Sequence, residues 1–95
     1  MKFLLTQNLI GLDNKDTKQS LGENLGHIMA SDNTASDPIK IAGWAKKLFN
    51  KEELDLDKSD QKVFEDFVRG TPQLTNLAKL QILEIWDEAK EKAKK

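Results

Sequence analysis

The sequence predicts a mainly α fold, a small four-helix domain with a short N-terminal extended arm and, as one option, a minor two-stranded pairing. Hydrophobic residues make up 38% of the chain and recur at helical spacing in segments that follow helix-capping residues. The 95 residues suffice for one compact domain and are too few for two ordinary ones. We therefore expect residues 1–95 to form a single helical domain.

Extended structure is expected at two places. Residues 3–12 are apolar with polar interruptions, and residues 13–16 are a turn-forming cluster of Asp, Asn and Lys. An apolar run that ends in such a cluster is typical of a short strand or hairpin arm. Residues 53–57 alternate polar and apolar side chains, which indicates either a short strand that pairs with the arm or an extended linker.

The first helix has a capping signal and two glycines. Ser20 followed by Glu23 matches a capping box, which predicts a helix over residues 21–30. Gly22 and Gly26 weaken this helix by about 1 kcal/mol each relative to alanine. Since glycine permits close approach of another backbone, we expect a second element to pack against these positions.

A loop over residues 31–36 is followed by three further helices with starting signals. The expected starts are Asp37-Pro38 for the second helix, Asp57 for the third, and either Thr71-Pro72 or Thr75-Asn76 for the fourth. Aspartate and threonine accept the free amides of a helix N-terminus, and proline is tolerated at the first helical position. We expect these helices to end near Asn50, Gly70 and Lys92.

The apolar faces of the helices predict the core. Four aromatic side chains should be largely buried against one another: Trp44, Phe64, Phe67 and Trp86. On the last helix, the stripe that should face the core is Ala78, Ile82, Ile85, Trp86 and Ala89. Leu80 and Leu83 lie about one third to one half of a turn away from it. If the other elements do not reach that far, exposed leucines mark an association site. We therefore predict a homodimer or a partner contact centred on Leu80 and Leu83.

Composition disfavours several classes of function. The net charge of −1 is unlike that of a general nucleic-acid binder, which needs a basic surface. The chain has no cysteine, which excludes disulfides and thiolate zinc sites. Its one histidine, His27, stands in no recognisable catalytic order with a nucleophile or a carboxylate. We predict no enzyme activity, metal or cofactor. Because no membrane-spanning run or signal peptide is evident, we expect a cytoplasmic protein.

Residues 51–66 carry a local negative charge. Seven acidic and three basic residues give this segment a net charge of −4. Such a surface can complement a basic partner, or it can merely cap a helix and favour solubility. The candidate partner-binding residues in this segment are Glu52, Glu53, Asp55 and Asp57.

Five short segments follow one another in an order that covers most of the chain. They are Leu12-Asp13, Ser20-Leu21-Gly22, the segment from Asp37 to Phe49 with Ala45-Lys46-Lys47-Leu48, Leu56-Asp57-Lys58-Ser59-Asp60, and Ile82-Leu83-Glu84. This order resembles that of small phage and prophage proteins. The chain departs from their pattern at Asn14, where an Asp-Gly turn would place glycine. The resemblance implies a phage-associated accessory protein and brings no catalytic or binding residues with it.

These features together predict a non-enzymatic protein-binding module. It would be an accessory or regulatory protein of phage or prophage origin that occludes or bridges a partner protein. The alternative is a nucleic-acid-associated regulator that uses a local lysine patch. That patch would be either Lys40, Lys46 and Lys47 or the tail over residues 90–95. An enzyme is the class that the sequence favours least.

Overall fold

The computed structural model describes residues 1–34 and 37–93. The chain is 59% helical with four helices and two small two-stranded sheets in the part described, which confirms the predicted mainly α class. The strands are β1 (Lys2–Phe3), β2 (Asn8–Ile10), β3 (Asp16–Ser20) and β4 (Leu54–Asp55). The helices are α1 (Leu21–Ser31), α2 (Pro38–Phe49), α3 (Lys58–Gly70) and α4 (Asn76–Ala93). Parts of the predicted loop over residues 31–36 and of the lysine tail over residues 90–95 lie outside the described residues.

The chain divides into two compact units. One is Met1–Phe3 with Asp55–Lys95, and the other is Leu4–Leu54. The first unit contains β1, α3 and α4, and the second contains β2, β3, α1 and α2. The boundary between them runs through β4. The expectation that residues 1–95 form one domain stays a prediction.

Hydrogen bonds at the helix starts agree with the predicted caps. Ser20 Oγ accepts from Glu23 N at 3.2 Å, Asp37 Oδ1 from Lys40 N at 3.1 Å, and Asp57 Oδ1 from Asp60 N at 2.8 Å. At the last helix, Thr75 Oγ1 accepts from Ala78 N at 3.2 Å. Of the two candidate starts for this helix, the structure therefore shows Thr75-Asn76.

In the unit Leu4–Leu54, two glycines of α1 lie against neighbouring backbone. A Cβ on Gly22 would lie 2.6 Å from the carbonyl oxygen of Leu5, and one on Gly26 would lie 2.9 Å from that of Ala45. Real Cβ atoms essentially never come within 3.0 Å of such an atom, so these positions require glycine. The expected close approach is confirmed, and its partners are the N-terminal segment and α2.

A hairpin formed by β2 and β3 precedes α1. The strands are antiparallel, with Ile10 opposite Asp16, and Gly11 N donates to Lys15 O across the turn at 2.8 Å. Asn14 lies in the turn at a φ of 65°, a left-handed conformation that asparagine tolerates better than most residues. The sequence predicts the arm and its turn. It does not predict β3, because the polar residues of that strand show no apolar alternation.

Asp16 is held in the hairpin by two hydrogen bonds. Lys18 N donates to its Oδ1 at 2.7 Å, and Asn8 Nδ2 donates to its Oδ2 at 3.3 Å. Because these bonds favour the carboxylate, they hold the pKa of Asp16 below its ordinary value of 3.8. Their contribution to the hairpin is present above that value and is lost as the pH falls through the lowered pKa.

In the other unit, an aromatic cluster joins β1, α3 and α4. The rings of Phe64 and Trp86 stack with their centroids 4.6 Å apart, and Phe3 meets them edge-on at 5.3 and 5.1 Å. Trp86 Nε1 donates to Glu65 Oε1 at 3.0 Å. The indole N–H therefore keeps a hydrogen bond while the three rings are buried.

Met1, which precedes β1, forms a backbone pair with Leu56, which follows β4. The amino group of Met1 donates to Leu56 O at 2.9 Å, and Leu56 N donates to Met1 O at 2.8 Å. β1 and β4 form one of the two sheets. Of the two interpretations of residues 53–57, the structure therefore shows the strand that pairs with the N-terminal arm.

The predicted core needs two corrections, one on α3 and one on α4. Phe67 is only half-buried, because α3 buries the narrower stripe of Phe64 and Val68. Trp44 is buried, as expected, and lies in the unit Leu4–Leu54. On α4 the buried residues are Ala78, Ile82 and Trp86, whereas Ile85 and Ala89 are partly exposed.

Candidate partner-binding surface

One side of α4 combines leucine with acidic side chains. We call it the outer face of α4 and define it as Leu80, Leu83, Glu84, Asp87, Glu88 and Glu91. Leu80 is 56% exposed, and Leu83 is partly exposed. At 3.6 residues per turn, Leu80 projects away from the buried stripe of Ala78 and Ile82. It is therefore available to a partner without any change in the core.

The acidic residues of the outer face begin where the leucines end. Glu84, Asp87, Glu88 and Glu91 are all exposed. Their spacing of three and four residues keeps them in line with Leu80 along the helix. An apolar start and an acidic continuation therefore share one helical face.

Two lysines of α4 are directed away from this face. Lys79 Nζ donates to Arg69 O on α3 at 2.9 Å. Lys90 Nζ lies 3.7 Å from Glu65 Oε1, also on α3. The ammonium groups of these two lysines therefore point toward α3, whereas the third, Lys92, is exposed and lies four residues after Glu88.

The second predicted site is the acidic segment over residues 52–57, and its four acidic residues differ in their surroundings. Glu52, Glu53 and Asp55 are exposed, while their neighbours Leu54 and Leu56 are fully buried. The carboxylate of Asp57 caps α3 and also accepts the Ser59 hydroxyl at 2.8 Å. Asp57 is thus used to start a helix. Glu52 and Glu53 belong to the unit Leu4–Leu54, whereas Leu80 and Leu83 belong to the other unit.

The first of the two lysine patches in the alternative hypothesis lies on α2. Lys40 is in its first turn, Lys46 and Lys47 are in its last turn, and all three are exposed. Lys40 and Lys47 share a side of the helix, whereas Lys46 is rotated by about 100–120° from them. The aromatic residue between them in the sequence, Trp44, is buried, so it offers no open ring on which a base could stack.

We predict no tight binding of duplex nucleic acid at physiological salt. Three lysines on one helix displace few counterions, and the net charge of the chain is −1. A gel-shift titration should show no saturable complex in the submicromolar range. A submicromolar complex that weakens steeply with salt would contradict this prediction and favour the regulator hypothesis.

The acidic part of the outer face is missing from the sequence-based site. It could have been predicted, because Glu84, Asp87 and Glu91 recur at helical spacing in the sequence. What the sequence does not show is where Lys79 and Lys90 are directed, since that depends on how α3 packs against α4.

Comparison with protein-family models, with curated proteins and with solved structures gives no match for this chain. Within residues 1–34 and 37–93, no helix has the length and apolar character needed to cross a membrane. The same residues contain no cluster of three or more acidic or histidine side chains that could hold a metal ion.

Proposed function

We propose that the protein is a non-enzymatic accessory module that binds a partner protein through the outer face of α4. The observation that carries the proposal is the exposure of Leu80 within an acidic helical face. By charge complementarity, the occupant is a basic amphipathic segment of the partner, with apolar side chains against Leu80 and Leu83 and cations beside the acids. Binding there would occlude or bridge the partner.

The side chains of the outer face of α4 also determine how tightly and how fast a partner would bind. Burying an exposed leucine contributes at most about 1.5–3 kcal/mol, so two leucines alone do not support tight association. Exposed carboxylates add modest energy but accelerate encounter with a cationic partner. A regulatory contact that forms quickly and weakens with salt is the expected result.

The resemblance to small phage and prophage proteins supports a phage or prophage origin for this module. A module that acts by occupying a partner surface needs no cofactor. We place its action in the cytoplasm of the host cell, where a phage-encoded accessory protein would meet its target.

The test uses the full chain and an amphipathic leucine–lysine peptide, followed by amide chemical shifts. We expect saturable shifts on the outer face of α4. Leu80→Ser should weaken binding about tenfold, the equivalent of about 1.4 kcal/mol of lost apolar contact. Val63→Ser is the matched control, since Val63 is 45% exposed on α3 and its loss should leave binding unchanged.

A pair of charge variants separates the two acidic sites. Glu84→Gln with Asp87→Asn should reduce binding, whereas Glu52→Gln with Glu53→Gln should not. The reverse result would move the site to residues 52–57. If the free chain sizes as a dimer that Leu80→Ser dissociates, the occupant is a second copy and the proposed basic segment is wrong. Equal binding of a leucine–glutamate peptide would also contradict the charge argument.

A further inference from the structure

A groove lies between α1 and α2 in the unit Leu4–Leu54. Its volume is about 360 Å³. The residues that line it include Gly26, His27, Ala30, Ala42, Lys46 and Phe49. This volume is at the lower end of what small-molecule sites offer, so it suits a compact ligand.

The groove results from the way the two helices meet. At Gly26 the backbones are in close contact, with a hypothetical Cβ only 3.2 Å from Phe49 N. Farther along, Ala30 and Ala42 have side chains too small to fill the space between the helices. Close packing at one point and small residues beyond it leave an apolar floor that neither helix covers.

Two aromatic rings form one wall. His27 and Phe49 meet edge to face, with ring centroids 5.1 Å apart and an interplanar angle of 85°. The Phe49 side chain is 43% exposed, which is high for a phenylalanine that packs against another ring. An apolar ligand in the groove would cover this ring and restore its burial.

The polar part of the groove favours an anion. Lys46 and His27 line it, and among the residues that the structure describes no acidic side chain does. Asn50 Nδ2 is already used, because it donates to Lys46 O at 2.8 Å. Lys46 brings a cationic side chain to the lining, and the His27 ring brings a hydrogen-bond donor.

We propose that this groove binds a small apolar carboxylate. The hydrocarbon part would lie on Ala30, Ala42 and Phe49, and the carboxylate would lie beside Lys46 and His27. The site is in a different unit from the outer face of α4. Its occupancy is therefore a property separate from partner binding, and either proposal can fail without the other.

The test titrates phenylacetate into the full chain and follows amide chemical shifts. We expect saturable shifts at residues 26–30 and 42–50 with a dissociation constant of about 1 mM, as suits a ligand of few atoms. 2-Phenylethanol, the neutral analogue, should bind about fivefold more weakly, which is the upper range for an exposed ion pair.

Two variants assign the effect to the groove. Lys46→Gln should reduce phenylacetate affinity about fivefold, whereas Lys47→Gln, on the same turn but outside the groove, should not. Ala42→Leu fills the floor from an exposed position and should abolish the shifts for both probes. Absence of saturable shifts in the parent chain would overturn the proposal. So would equal affinity for the acid and the alcohol, or binding that Lys46→Gln leaves unchanged.

Discussion

Replacing Phe64 with alanine should lower the free energy of unfolding by about 3–5 kcal/mol. The side chain is fully buried and stacks on Trp86 while Phe3 meets its edge. Its removal leaves a cavity that three separate elements border, and these cannot all move in to fill it. Since a domain of this size is stable by about 5–15 kcal/mol, this is a large fraction of the total. Urea denaturation followed by circular dichroism would measure the change.

Phe67→Ala is the matched control on the same helix. Phe67 is half-buried, so we expect a loss of about 1–2 kcal/mol, well below that for Phe64. The pair removes the same atoms from one helix and differs mainly in burial. Equal losses at the two positions would show that the aromatic cluster does not centre on Phe64.

Replacing Gly22 with alanine should destabilise the chain by more than 2 kcal/mol, on the order of the cost of overpacking a rigid contact. The new Cβ would lie 2.6 Å from the carbonyl oxygen of Leu5 and 3.0 Å from that of Leu48. Both obstacles are backbone atoms, which cannot rotate away as a side chain can. The gain of about 1 kcal/mol in helix propensity is smaller than this cost. The midpoint of thermal unfolding is a sufficient measurement.

Gly43→Ala, in the same unit, should change the stability in the opposite direction. Gly43 lies in α2 and is exposed. Apart from its chain neighbours and the adjacent backbone of its own helix, no described residue has a heavy atom within 4 Å of the position that a Cβ would occupy. Alanine there should stabilise by about 0.5–1 kcal/mol through helix propensity and a less flexible unfolded chain. If both variants stabilise the protein, then α1 does not approach the Leu5 and Leu48 backbones as closely as described.

Part of the candidate surface could be predicted from the sequence. Helical phase places Leu80 away from the buried stripe of α4, and the structure leaves it exposed. The sequence also predicted an acidic partner-binding surface within residues 51–66. It predicted Asp57 as the cap of the third helix, but it could not show that Lys79 and Lys90 point toward α3. The direction of these two lysines depends on neighbours that are distant along the chain.

The helices could be predicted from the sequence, because capping and periodicity are local properties. Ser20, Asp37 and Asp57 each bond an amide three residues on, and such a bond needs no tertiary partner. Which apolar residues form the core depends on packing between segments that are distant in the sequence. Phe3, rather than the half-buried Phe67, contacts the rings of Phe64 and Trp86. Periodicity states which side of a helix is apolar, but burial depends on which distant segment covers that side, and this is settled when the chain packs.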